Sequence, residues 1–162
     1  MTPKKTISPE NALARVAALC SRSEQAEHDI RIKLCNWGIQ QDSIEKIITR
    51  LIDEKYIDEQ RYAIAFTRDK FRFDGWGRIK IAYSLRNKHI SSNVIENALA
   101  EIDDNEYIQS LEHLLRNKLR SLNKKNDIQK KASLLRFATS RGYEPGLIYS
   151  ILPKIINCDE DF

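Results

Sequence analysis

Apolar residues recur along most of the chain at intervals of three and four positions, with polar residues between them. A period near 3.6 residues is typical of an amphipathic helix that buries one face. Three stripes early in the chain show this spacing: Leu13, Val16, Ala17 and Cys20; then Ile30, Leu34 and Trp37; then Ile44, Ile47, Ile48 and Leu51. No convincing run of strict alternation between turn residues appears, so the pattern predicts an all-α fold.

The stripes repeat at a nearly constant distance, which is typical of stacked structural units. Four apolar positions of each unit share the register: Ile39, Ile44, Ile48 and Leu51; 51 positions later Ile90, Ile95, Leu99 and Ile102; and after a further 53 positions Tyr143, Ile148, Leu152 and Ile155. We interpret the chain as three tandem three-helix repeats in an elongated array. An irregular nine-helix domain with accidental spacing is the alternative.

Gly38, His89 and Gly142 occupy equivalent places in the three units. Helices often end at a residue of left-handed conformation, which glycine adopts easily and histidine tolerates better than most residues do. We therefore expect a tight turn at each of these positions, with the third helix of the unit packing back onto the second.

Further signals indicate where helices begin. We expect the first helices of the units at residues 10–21, 58–73 and 104–122, with Asp58 as an N-cap. Asp42-x-x-Glu45 and Asn93-x-x-Glu96 have the capping-box pattern, and Pro145 suits a first helical turn. The resulting organisation is an N-terminal tail at 1–9, repeats at 10–56, 57–103 and 104–156, and an acidic tail at 157–162.

Basic residues are concentrated in two blocks, although 27 Lys and Arg against 23 Asp and Glu leave a formal charge of only +4. Residues 61–90 hold eight basic and two acidic residues, and residues 111–141 hold nine and two. Residues 91–106 hold five acidic residues and no basic one. This alternation predicts a polarised surface.

The composition excludes several classes of protein. A hydrophobic share of 41% is too high for a disordered polyelectrolyte. No stretch approaches the ~20 apolar residues of a membrane span. No apolar segment follows the first five residues, as a secretory leader would require. We therefore expect a cytoplasmic protein.

Residues for catalysis or metal binding are hard to find. The three cysteines are odd in number and none forms a C-x-x-C pair, so Cys20 and Cys35 are expected to be buried as small hydrophobic residues. Asp103 and Asp104 stand at the start of a predicted helix and are best explained as caps that complement its dipole. Because no nucleophile elbow or glycine-rich cofactor loop occurs, we expect no enzyme activity, cofactor or metal ion.

Residues 68–80 interleave basic side chains with Phe71, Phe73 and Trp76. Cations that neutralise phosphates beside aromatic rings that stack on bases are typical of single-stranded nucleic acid sites. Aromatic residues at helical spacing also fill cores, and we favour core or inter-helix packing for these three. For the basic residues, charge alone leaves an anionic partner and a solvated helix face equally open.

Several motifs carry a resemblance to a known family: Arg22-Ser23-Glu24; Ile30, Leu34 and Gly38; Tyr56-Ile57-Asp58 running into Tyr62-Ala63 and Phe66; and Gly77-x-x-x-Ile81-x-x-x-Leu85-x-x-Lys88-His89-Ile90. From about Ala12 to Ile155 the chain resembles RecX, the bacterial regulator of the RecA recombinase. The middle of the chain is the most specific part of the match, and the third unit is weaker. His89 stands where the family usually has glycine, and Trp37 where it usually has a basic residue.

The resemblance implies a curved array of three-helix repeats that occupies the groove of the RecA–DNA filament. It also implies negative modulation of filament growth, ATP hydrolysis and strand exchange, without a catalytic residue or cofactor. The expected partners are the RecA filament and single-stranded DNA, with double-stranded DNA as a further candidate, and the chain itself is expected to be a monomer. The candidate filament- and DNA-binding residues are Arg68, Lys70, Arg72, Arg78, Lys80, Arg86, Lys88, Lys124, Lys125, Lys130 and Lys131.

Two other classes of function stay open at this point. Short helices joined by tight turns resemble helix-turn-helix units, which would make the chain a direct DNA-binding protein. A helical adaptor whose basic faces contact an acidic protein is the second class.

Overall fold

The computed structural model of the chain describes residues 6–123 and 125–157. These residues form nine α-helices and no strand, which confirms the all-α prediction. The first unit contains α1 (Pro9–Arg22), α2 (Glu27–Asn36) and α3 (Gln41–Asp53); the second contains α4 (Glu59–Arg72), α5 (Arg78–Asn87) and α6 (Ser92–Ala100); the third contains α7 (Asp104–Arg120), α8 (Asp127–Ser140) and α9 (Pro145–Asn157). Among the described residues, no helix is long and apolar enough to cross a membrane.

The turn after the second helix of each unit has the predicted left-handed residue. The φ angles of Gly38, His89 and Gly142 are +80°, +61° and +93°. In each turn the amide of the next residue, Ile39 in the first unit, returns to a carbonyl five residues back, at 3.1–3.2 Å. That bond pattern satisfies a carbonyl at the helix end and reverses the chain direction.

Two of the predicted helix starts are confirmed. The side chain of Asp58 accepts a hydrogen bond from the amide of Arg61 at 2.8 Å, which caps α4. Pro145 is the first residue of α9, where its missing amide proton costs nothing.

The predicted capping boxes at Asp42 and Asn93 are wrong. Helices α3 and α6 begin at Gln41 and Ser92, so Asp42 and Asn93 already lie inside the first turn, and neither helix has a side-chain cap. Glu45 instead forms an ion pair with Arg31 of α2, whose Nη1 lies 2.6 Å from Glu45 Oε1. A capping box does form at the start of α8, between Asn126 and Gln129.

The repeated apolar positions face the interior. The equivalent residues Ile30, Ile81 and Leu134 of the second helices are all fully buried. Cys35, however, is exposed and Cys20 is only half-buried, so the prediction of buried cysteines is wrong for Cys35. Cys158 and the acidic tail after Asn157 lie outside the described residues, as does Met1 to Lys5 of the N-terminal tail.

The hydrophobic interior is divided unequally among the three units. One cluster of buried side chains lies within the first unit, around Ile30, Leu34 and Leu51. A second, larger cluster runs continuously through the second and third units, around Ile81 and Leu111, and includes only Ala26 from the first unit. The second and third units are therefore fused through one core, whereas the first has a core of its own.

Backbone contacts join the second and third units where the N-terminus of α5 meets the turn after α8. The amide of Gly77 donates to the carbonyl of Arg141 at 2.8 Å, and that of Ile79 donates to Gly142 at 3.0 Å. A Cβ atom at Gly77 would overlap the carbonyl of Gly142. Gly77 is therefore required for close approach of two main chains, a role distinct from that of a turn glycine.

Tyr107 adds a buried polar contact at this boundary. Its hydroxyl accepts a hydrogen bond from the amide of Arg78 at 2.9 Å and donates one to Glu144. Burial raises the pKa of the Tyr107 hydroxyl, and the hydrogen bond to Glu144 raises it further. The hydroxyl therefore stays protonated as a donor.

Polar and aromatic contacts dominate the junction between the first and second units. Asp29 Oδ1 lies 2.7 Å from Lys88 Nζ, and Glu24 Oε1 lies 2.7 Å from Arg61 Nε. The imidazole rings of His28 and His89 stack with their centroids 4.2 Å apart. This junction therefore depends on side chains from distant parts of the sequence more than on a shared core.

Candidate functional site

The predicted basic residues of α4 point to two different sides of that helix. Arg68 and Arg72 are exposed, and they line a shallow groove together with Glu101 and Glu106. The carboxylates offset part of the positive potential there. Lys70 lies on the other side, where its Nζ is 3.0 Å from Asp74 Oδ2.

Lys70 and Lys80 flank the indole of Trp76. The Nζ atoms of the two lysines lie 4.8 Å and 4.5 Å from the ring centroid. Both distances are within the range of a cation–π interaction. Trp76 also packs edge-on against Phe66, with 6.4 Å between the ring centroids.

The three aromatic residues within 68–80, which are Phe71, Phe73 and Trp76, differ in exposure. Phe71 is buried, and Trp76 is partly buried against the core of the second and third units, which confirms core packing for these two. Phe73 is 82% exposed, so the same prediction is wrong for Phe73. It follows the last residue of α4, where the chain leaves the helix and the ring has no interior to enter.

Arg78 and Lys88 stabilise contacts between units. Arg78 Nη2 lies 2.8 Å from Asp104 Oδ1, and its guanidinium carbon is 4.0 Å from the ring centroid of Tyr107. Lys88 is paired with Asp29 at the junction with the first unit. Their charges are offset by these partners, so they offer less to an anionic ligand than the sequence alone indicates.

The remaining candidates lie on α5 and around the start of α8. Arg86 and Lys131 are exposed, and Lys130 is half-buried. Lys125 Nζ lies 3.2 Å from Ser133 Oγ. Lys124 lies outside the described residues.

Phe137, which sequence analysis did not select, forms a second cation-flanked ring. Lys118 Nζ and Arg141 Cζ lie 5.3 Å and 5.2 Å from its centroid. Arg141 Nη1 also donates to the carbonyl of Asp74 at 3.1 Å, which connects this ring to the segment 74–77 around Trp76 (the Trp76 segment). The available signal was the i, i+4 spacing of Phe137, in the last turn of α8, and Arg141, which follows that helix.

These observations define a cationic face shared by the second and third units. It consists of Lys70, Lys80, Lys118 and Arg141 around the rings of Trp76 and Phe137. Its chemistry suits anions and planar groups, since cations attract phosphate or carboxylate and aromatic rings accept stacking.

The second and third units also match a known family in sequence. A profile described as "RecX, second three-helix domain" matches residues 58–99, and one described as "RecX, third three-helix domain" matches residues 104–152. The regulatory protein RecX of Clostridium botulinum strain Alaska E43 is 31% identical over 159 residues, which cover 94% of this chain and 74% of that relative. The chain belongs to the RecX family.

Other RecX proteins extend the comparison. The regulatory protein RecX of Clostridium botulinum strain Eklund 17B is 36% identical over 138 residues, or 84% of this chain. The match covers 64% of that relative's length. A crystal structure of RecX from Lactobacillus salivarius superposes with a TM-score of 0.80 at 20% identity, covering 91% of this chain and 96% of that one, so the fold is shared.

The cationic face lies within the two matched RecX domains. Trp76 and its lysines belong to the range 58–99, and Phe137 with Lys118 and Arg141 belongs to the range 104–152. The face therefore spans the contact between two RecX domains that share one core.

Proposed function

We propose that this chain modulates a RecA recombinase, chiefly as an inhibitor, by binding the RecA–DNA filament and limiting its growth, ATP hydrolysis and strand exchange. Membership of the RecX family supports the proposal. At the level of residues, the proposal rests on three exposed arginines of the second unit. Arg68, Arg72 and Arg86 are exposed there and have no ion-pair partner within residues 6–123 and 125–157.

The proposed mechanism is occupation of the filament and involves no catalytic step by this chain. Exposed guanidinium groups pair with phosphates and with carboxylates, which are the anionic groups of a protein–DNA filament. Stacked units extend the contact along the filament, so several weak charge contacts act together. Because the filament assembles on bacterial DNA, we expect this action to take place in the cytoplasm.

The first experiment measures DNA-dependent ATP hydrolysis by a cognate RecA on single-stranded DNA while this protein is titrated in. We expect inhibition. Half-inhibition well below one protein per RecA would indicate action at filament ends, and inhibition only near saturation would indicate lateral binding. No inhibition by the folded protein would overturn the proposal and favour the adaptor class of function.

A pair of matched variants tests the surface. Arg72→Glu with Arg86→Glu and Arg22→Glu with Lys46→Glu change the net charge equally, and all four residues are exposed. The first pair should raise the half-inhibiting concentration about tenfold and reduce its salt dependence, because fewer counterions are released on binding. Equal effects from the two pairs would mean that only net charge matters and would refute the assignment to the second unit.

Binding to duplex DNA without RecA is the control for the helix-turn-helix alternative. We expect this protein to bind duplex DNA weakly and without sequence preference. Sequence-selective duplex binding would instead favour a direct DNA-binding protein.

A further inference from the structure

Among the described residues, each of the three units holds an aromatic ring with two cationic groups within 6 Å of its centroid. The rings and their cations, with the distances to the ring centroid, are Trp37 with Arg15 Cζ (5.8 Å) and Lys33 Nζ (5.9 Å), Trp76 with Lys70 Nζ (4.8 Å) and Lys80 Nζ (4.5 Å), and Phe137 with Lys118 Nζ (5.3 Å) and Arg141 Cζ (5.2 Å). The repeat of the fold is therefore accompanied by a repeat of one chemical arrangement. The sequence register does not produce it, because Trp37 is aligned with Lys88 and not with Trp76.

The three rings are neither fully buried nor fully exposed. Trp37 packs against the core of the first unit and Trp76 against the core of the second and third, and Phe137 is also half-buried. Each ring is therefore held by its surroundings while part of it remains open to solvent. A ring fixed in this way loses little conformational freedom when a planar ligand stacks on it.

Two of the rings belong to one continuous surface. The Arg141 side chain donates to the Asp74 carbonyl, and the Asp74 carboxylate lies 3.0 Å from Lys70. Around the same point Gly142 lies against the stem of Lys80, since a Cβ at Gly142 would overlap it. The cations of Trp76 and Phe137 are thus neighbours across the boundary of the second and third units.

Alternating planar and anionic groups are the ligand chemistry that matches such an array. A single-stranded polynucleotide offers unpaired bases for the rings and phosphates for the cations. The bases of a duplex are stacked on one another, and an acidic peptide has carboxylates but few planar groups. We propose that Trp37, Trp76 and Phe137 each stack on a base of a single-stranded polynucleotide, while their flanking cations bind its phosphates.

This inference deepens the proposed function, because it names the part of the filament that the chain touches. Stacking on a base is a stronger contact than an exposed cation–π pair, so the exchange favours binding. When the strand arrives, the lysine heads exchange the ring for a phosphate, and Lys70 also exchanges the Asp74 carboxylate for it. The test needs no RecA, so its failure and that of the proposed function can be told apart.

Intrinsic fluorescence provides the first test, since Trp37 and Trp76 are the two tryptophans of the chain. Trp37→Phe and Trp76→Phe each leave a single reporter and keep an aromatic ring at the changed position. We expect an oligo(dT) strand to quench both reporters. An abasic deoxyribose-phosphate strand of equal length, which has the same charge but no bases, should quench neither.

Affinity provides the second test. Trp37→Leu, Trp76→Leu and Phe137→Leu should each weaken oligo(dT) binding about tenfold while leaving binding to the abasic strand unchanged. The matched control is Tyr149→Leu, since Tyr149 is 61% exposed and is not flanked by cations among the described residues. If Trp76→Leu fails to fold, as circular dichroism would show, Trp76→Phe still reports through the fluorescence of Trp37.

Several results would overturn the inference. Equal affinity for oligo(dT) and the abasic strand would mean that the rings only pack against their neighbours. Equal competition by a duplex, or quenching by poly-glutamate, would point to a different partner. If RecA were inhibited while oligo(dT) failed to bind, this inference would fall and the proposed function would stand.

Discussion

At the scale of single residues, Tyr62 shows how burial in one unit is coupled to a charge in another. It lies on α4 in the second unit, and only 9% of its surface is exposed. Burial, together with the negative charge of Asp29 in the first unit, raises the pKa of Tyr62 to about 12. An unfolded tyrosine ionises near pH 10, so the folded chain keeps a proton there that the unfolded chain releases.

This difference predicts a contribution of Tyr62 to alkaline unfolding. The proton retained by Tyr62 contributes to the free energy of unfolding. This contribution is fully present below about pH 10 and is lost as the pH rises towards 12, because the unfolded state then binds fewer protons than the folded state. The measurement is the free energy of urea unfolding of the wild type and of Tyr62→Phe over this range. The free energy of unfolding of the wild type should fall relative to that of the variant above about pH 10. A constant difference between the two over the whole pH range would contradict the prediction.

At the scale of elements, the ends of helices determine how neighbouring units meet. The turn after α5 and the turn after α8 both contain a left-handed residue. The turn after α8 also accepts a hydrogen bond from the Gly77 amide, at the N-terminus of α5. Helix capping here is therefore also a contact between units. A change at such a turn should affect the boundary of two units more than the helix that it ends.

Gly77→Ala tests this contact. The added methyl group would overlap the Gly142 carbonyl, so we expect a loss of ~1–3 kcal/mol in the free energy of unfolding. Gly146→Ala is the matched control, since no atom lies within 4 Å of its Cβ position and alanine is the better helix former. Urea unfolding should show no loss for this control, and equal losses from the two variants would show that the main chains do not meet closely.

At the scale of the whole molecule, the division of the core separates the first unit from the other two. Leu34 and Leu111 are both fully buried, but they belong to different clusters. A cavity made in one cluster should therefore destabilise the helices that share it. The two clusters meet mainly through the polar junction around Asp29 and Lys88. Destabilising one cluster should therefore affect the other less than it would if they shared a core.

Leu34→Ala and Leu111→Ala form a matched pair for this test. Each substitution removes a buried side chain and should lower the free energy of unfolding of the cluster that contained it by ~2–5 kcal/mol. Hydrogen exchange should accelerate in α1–α3 for the first variant and in α4–α9 for the second. Uniform acceleration along the chain in both variants would show instead that the three units unfold together.

The sequence by itself determined the features that depend on neighbouring residues. The helical class, the repeat of Ile30, Ile81 and Leu134, and the turns at Gly38, His89 and Gly142 all follow from local periodicity and backbone preference. The capping boxes at Asp42 and Asn93 failed even at this scale, since each helix begins two residues earlier than such a cap requires.

The tertiary structure decided which predicted charges remain available for binding. Lys88 and Asp29 are 59 positions apart in the chain, and no local pattern indicates that they pair. The same is true of Arg141, which contacts the Asp74 carbonyl 67 positions away and links Phe137 to the Trp76 segment. Pairing, burial and shared surfaces depend on the distances between helices, and those distances exist only once the units have packed together.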